Sequence, residues 1–167
     1  LVAHDISGDI RVWLGEFVAA REHLEQAIAL YDPQRDRAHA HLHGYDTGVV
    51  CWMFKGLVLW YLGDLDRSLE SSNRAVALAR ELSHPSSLAL ALEFCSWLHQ
   101  HRRDRALTRY WAEADVALCE EQGLSFFLAR AKVLLGWALA EEGRIEDGLA
   151  LLHEGIAGYR ATGAELE

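Results

Sequence analysis

Proline is nearly missing from this chain: there are two in 167 residues. That scarcity favours long uninterrupted helices, because each proline inside a helix removes a hydrogen bond and clashes with the preceding turn. Long apolar runs are also missing. No stretch approaches 18 consecutive apolar residues, so no helix is expected to span a membrane. A basic excess is missing too. The formal charge is −9, whereas a nucleic-acid footprint needs a positive face or stripe. The local group Arg102, Arg103 and Arg105 surrounds Asp104 and reads as a solvated helix start. Alternating apolar and polar residues, the mark of a half-buried strand, are absent. So are a GxxxxGK[ST] phosphate loop and a GxSxG nucleophile turn. There is no recognisable signal peptide. Cysteines number three, with no CxxC. Cys51, Cys95 and Cys119 each fall in an apolar helical context, which suggests reduced, buried thiols and a cytoplasmic protein. No cofactor motif stands out.

Glycine, by contrast, is placed with regularity. Gly56 and Gly63 stand seven residues apart, about two helical turns, so they share a helix face. The first leaves room for a second helix to approach closely. The second ends its helix, because glycine enters the left-handed conformation cheaply. Gly8 and Gly15 repeat this spacing, and Gly136 and Gly143 repeat it again. Alignment on Gly15, Gly63, Arg103 and Gly143 gives steps of 48, 40 and 40 residues. The small residue seven places earlier is then Gly8, Gly56, Ser96 and Gly136. Four helix–turn–helix units account for nearly the whole chain, over about 1–33, 47–84, 86–123 and 125–163.

In the first unit the segment from Glu16 to Tyr31 has apolar residues at Phe17, Ala20, Leu24, Ala27, Ile28 and Tyr31, the period of a half-buried helix. Asp32-Pro33 stops it. Residues 34–46 form the longest loop, which is rich in histidine. The helix from Gly48 to Leu62 is apolar almost all round, so it is expected to be buried or to line a groove. Leu59 and Leu62 are expected in the core. Ser83-His84-Pro85 breaks the chain, with Ser86 or Ser87 as the next cap and Ser125 as a later one. The fold class is therefore all-α. The expected architecture is an α–α superhelix, a right-handed solenoid of about eight helices in one domain over 1–167. Leu1 falls partway into a helical pattern, so the chain is expected to be a fragment of a larger protein.

The small residues at these two places, with Ala20, Leu24, Ala27 and Trp52, resemble the tetratricopeptide pattern. The repeat exceeds the usual length of about 34 residues. Residues 14–33, 81–85, 98–100, 120–123, 136–143 and 159–166 resemble, as a set, one group of multidomain bacterial signalling proteins. In that group a C-terminal helical-repeat region accompanies an adenylate or guanylate cyclase domain, or another output domain, and an ATPase module. The resemblance implies a regulatory, non-catalytic region that binds a protein or peptide partner, or flanking domains of its own polypeptide. It places no catalytic residue in this chain.

In stacked hairpins the first helices line the concave side. Helical spacing gathers Met53, Leu57, Trp60 and Tyr61 there from the second hairpin. The third contributes Glu93, Trp97 and His101, and the fourth Arg130, Val133, Trp137 and Glu141. These eleven residues are the candidate groove. Leu57, Trp97 and Trp137 would form an aromatic-rich column, and His101, Arg130 and Glu93 would orient a docked segment. The same groove would serve a small-molecule sensor. His39, His41 and His43 alternate along the loop and raise a metal-enzyme reading, although no fourth ligand is fixed. A solvated linker is the competing reading. Cys95 and His99, four residues apart on one helix, offer a two-ligand face, and a packed thiol beside a hydrogen-bonded histidine is the competing reading there. The ends carry no evident capping helix. Ala3, Ile6 and Val12 at one end and Leu149, Leu152 and Ile156 at the other are therefore expected to be partly exposed, with association through the ends as the consequence.

Overall fold

The computed structural model describes residues 1–36, 40 and 44–163. Among the described residues there is no strand, and the fold is all-α. The long helices are α1 (Val2–Trp13), α2 (Phe17–Leu30), α3 (Thr47–Tyr61), α4 (Leu65–Leu82), α5 (Pro85–His101), α6 (Arg105–Gln122), α7 (Ser125–Glu141) and α8 (Ile145–Ala161). Among the described residues none is long and apolar enough to cross a membrane. The chain divides into two compact units, Leu1–Ala91 and Leu92–Glu167.

Four turns have one construction. Gly15, Gly63, Arg103 and Gly143 all take positive φ, at 75°, 82°, 58° and 91°. In each, the next residue's N–H reaches back five residues: Glu16 to Arg11, Asp64 to Leu59, Asp104 to His99 and Arg144 to Leu139, at 2.9–3.0 Å. That bond satisfies a carbonyl the ending helix would leave bare. Asp64 and Asp104 then cap the following helix, accepting from the N–H of Arg67 and Leu107. Glu16 and Arg144 make no side-chain cap.

The small residues face the partner helix of their own hairpin. A Cβ on Gly8 would strike Leu24, and one on Gly136 would lie 2.7 Å from the carbonyl oxygen of Gly148. Ser68 Oγ donates to the Gly56 carbonyl at 2.7 Å, and Ser96 Oγ to the Thr108 carbonyl at 3.0 Å. Serine on one helix thus meets backbone on the other, with its hydroxyl satisfied.

The first unit has its core in Ala20, Leu24, Ala27, Val49, Val58, Leu59 and Ala79, none of which has accessible surface. Truncating Leu24 or Leu59 to alanine would cost about 3 kcal/mol. Leu62 departs from its expected core position: it is 37% exposed. It is the C-cap of α3, beyond the last packed turn, so it is only partly covered. Asp46 ties this unit together. Its carboxylate accepts from the Tyr31 hydroxyl at 3.0 and 2.9 Å and from the Val49 N–H at 3.0 Å. Its own N–H donates to Ser87 Oγ at 2.8 Å.

Some local expectations change. His84 Nδ1, not Ser86 or Ser87, accepts from the backbone at the start of α5, from the Ser87 N–H. Pro85 occupies the first helical position, where its missing N–H is harmless. Ser125 lies inside α7, whose N-cap is Leu124. Ile6 and Leu149 are exposed as expected, but Val12 is buried because it lies on the inner face of α1. The three cysteines are buried and none forms a disulfide.

Candidate functional site

In the second unit the candidate residues come from two helices. Glu93, Trp97 and His101 follow one another on α5 at intervals of four, hence on one side of the helix. Arg130, Val133, Trp137 and Glu141 make the corresponding strip on α7. The strips meet where Arg130 pairs with Glu93 at 2.5 Å. The Arg130 guanidinium also lies over the Phe126 ring, 5.3 Å from its centroid, and Phe126 packs on Tyr159. Held between a carboxylate and an aromatic face, the guanidinium keeps one orientation while its side chain stays 35% exposed.

Trp97 is half-buried and stands edge-on to two rings, Phe94 at 5.3 Å and His101 at 4.9 Å. His101 Nδ1 lies 2.9 Å from the Trp97 carbonyl. A carbonyl only accepts, so Nδ1 is the protonated nitrogen. Val133 and Trp137 are half-buried, and Glu141 is exposed. Arg105 donates to the Glu141 carbonyl and Arg109 pairs with Glu142, which ties the start of α6 to the end of α7.

Behind the pair of strips lies a residue that sequence reading passed over. Asp115 on α6 has no accessible surface. Its Oδ1 accepts from Cys119 Sγ at 3.4 Å, and its Oδ2 has no hydrogen-bond partner. Glu93 is 6% exposed, and its Oε2 is equally unpartnered. Burial pushes the Glu93 carboxyl up to about 7, against the pull of Arg130. Burial first, then the charge of Glu93, pushes Asp115 up to about 8. Burial and the Asp115 charge push the Cys119 thiol up as well. The available signal was positional: Asp115 shares the buried face of α6 with Thr108, Ala112 and Cys119. An acid at such a position is rarely left alone.

Neither a protein-family model nor a curated protein matches this chain. The reading of its site therefore rests on geometry and on the sequence pattern.

The first unit holds the other four candidates. Met53 and Leu57 are 3% and 6% exposed, so neither presents the free contact surface expected of it. Both lie on α3, where ten of fifteen residues are buried; a helix apolar almost all round is covered over most of its surface. Trp60 is half-buried. Tyr61 is 47% exposed and stacks on Phe17, centroids 4.6 Å apart at 12°. Two contacts in this unit were not anticipated. His4 Nδ1 and His23 Nδ1 are 3.0 Å apart, joining α1 to α2, and Cys51 Sγ donates to Asp5 at 3.2 Å. His39, His41 and His43 lie outside the described residues. Among the described residues no group of three or more His, Cys, Asp or Glu is arranged to hold a metal ion. His99 is 5% exposed with Nδ1 unpartnered, and burial lowers its pKa against the pull of Asp104. Cys95 lies one turn away on α5 and is buried as well.

Proposed function

We propose that this chain is a non-catalytic binding scaffold. In this reading its hairpins stack as tetratricopeptide-like repeats in a right-handed solenoid. The paired strips of α5 and α7 hold an extended or helical peptide, from a protein partner or from flanking domains of the same polypeptide. The carrying observation is the pairing of half-buried Trp97 and Trp137 with a fixed ion pair, Glu93–Arg130, on those two helices. Half-buried indoles offer contact area with little rotamer entropy left to lose. The oriented charges give direction to a docked chain. The four turns of one backbone construction and the small inward residues support the repeat reading. The resemblance of the sequence to regulatory regions of cyclase- and ATPase-containing signalling proteins supports a cytoplasmic, regulatory setting.

The test is binding of peptides tiled across the intact polypeptide, followed by tryptophan fluorescence. Trp97→Ala should weaken binding at least ~10-fold, equivalent to about 1.4 kcal/mol, with helical circular dichroism unchanged. Full affinity in a folded Trp97→Ala, Trp137→Ala double variant would sink the reading.

A further inference from the structure

The buried acids of the second unit outnumber their cation. From α5 comes Glu93, from α6 Asp115 with the Cys119 thiol, and from α7 Arg130. With both acids ionised, two buried carboxylates would share one partly exposed guanidinium, and each would keep one oxygen with no donor. Desolvation of an ion is repaid only by close pairing and satisfied lone pairs. One proton makes the cluster neutral. Its place follows from contact: Glu93 touches Arg130 at 2.5 Å, whereas Asp115 accepts from a thiol, a weak donor.

We propose that Asp115 holds a proton while Glu93 pairs with Arg130, and that loss of this proton is a switch which sets two buried carboxylates in competition for one guanidinium and loosens α6 against α5 and α7. The device shares Glu93 and Arg130 with the proposed strips, but its test needs no ligand on them.

Burial and the Glu93 charge raise Asp115 from 3.8 to about 8. The folded state therefore holds a proton that the unfolded chain has released. Stability from this group is complete below the unfolded value, falls as pH rises through the folded value, and is level above it. Titration thus lies at mildly alkaline pH, close to neutrality.

The experiment is pH-difference infrared spectroscopy of the full chain, with thermal melts at each pH. A carboxylic-acid carbonyl band is expected at about pH 6, well above the ordinary range for aspartate, and is lost with a midpoint near 8. Asp115→Asn should abolish the component lost near 8 and flatten the decline of Tm with pH. It should leave only a component that Glu93, pushed up by burial to about 7, loses at lower pH. Glu93→Gln removes the competitor and frees Arg130 for Asp115, so the midpoint should move acidic by more than about one pH unit. This second variant decides the matter if Asp115→Asn fails to fold. Absence of the band in the parent at about pH 6, survival of the component with midpoint near 8 in Asp115→Asn, or an unmoved midpoint in Glu93→Gln would each overturn the proposal.

Discussion

Arg103 and Gly143 share one backbone conformation: both take left-handed φ, 58° and 91°, at equivalent places in the two hairpin turns of the second unit. A side chain there costs about 1–2 kcal/mol against a right-handed residue. Glycine avoids that cost but gives back about 0.5–1 kcal/mol in unfolded-chain entropy. Arg103→Gly should therefore stabilise the protein by about 0.5–1 kcal/mol. Gly143→Ala should destabilise it by about 1 kcal/mol, through backbone strain alone, since nothing lies within 4 Å of the added methyl. Urea unfolding midpoints of the two variants, moving in opposite directions, would check this.

Gly136→Ala is expected to cost more, about 2–3 kcal/mol. Its methyl would meet backbone, the Gly148 oxygen at 2.7 Å and the Leu152 nitrogen at 2.9 Å, so α7 and α8 would have to separate. At Gly56 the nearest obstacle is a side-chain atom, Ser72 Oγ. Ser72→Ala should therefore rescue part of the Gly56→Ala loss, by about 1 kcal/mol in a double-mutant cycle. No second-site removal of a side-chain oxygen should do the same for Gly136→Ala.

Tyr31→Phe deletes a hydroxyl held at 3.0 and 2.9 Å by the two oxygens of Asp46. A hydrogen bond to a charged, buried group is worth about 1.5–3 kcal/mol, and the variant should lose about that much stability. Calorimetry would measure it. A loss near zero would mean that another donor takes the place of the tyrosine.

All three thiols should resist alkylation in the native state at neutral pH. Each cysteine is buried, and burial, with Asp5 beside Cys51 and Asp115 beside Cys119, pushes those two thiols away from the reactive thiolate. Labelling rates followed by mass spectrometry should track global unfolding in denaturant. Rapid native labelling of one cysteine would identify a local opening.

Periodicity made the helices legible, and glycine spacing made the turns legible even where Arg103 replaces glycine. The reason is that turn geometry is a local property of six residues and its bonds recur in the backbone. Exposure was less legible. Leu62 and Leu57 are equally apolar and five residues apart, yet the first lies beyond the packed end of α3 and the second within it. Asp115 was legible in position but not in meaning. Its company of Glu93, Cys119 and Arg130 comes from three helices, and helical spacing within one segment carries no information about that.

Asp46 sits where three segments end or begin: the close of α2 through Tyr31, the start of α3 through Val49, and the start of α5 through Ser87. Fraying is ordinarily the privilege of helix ends, which open independently and at little cost. Here three such ends are bonded to one buried residue, so the opening of any one leaves Asp46 without part of its shell. Amide hydrogens near Tyr31, Val49 and Ser87 should then exchange with a common opening free energy, as members of one cooperative unit. Asp46→Ala should split that unit into ends that fray separately.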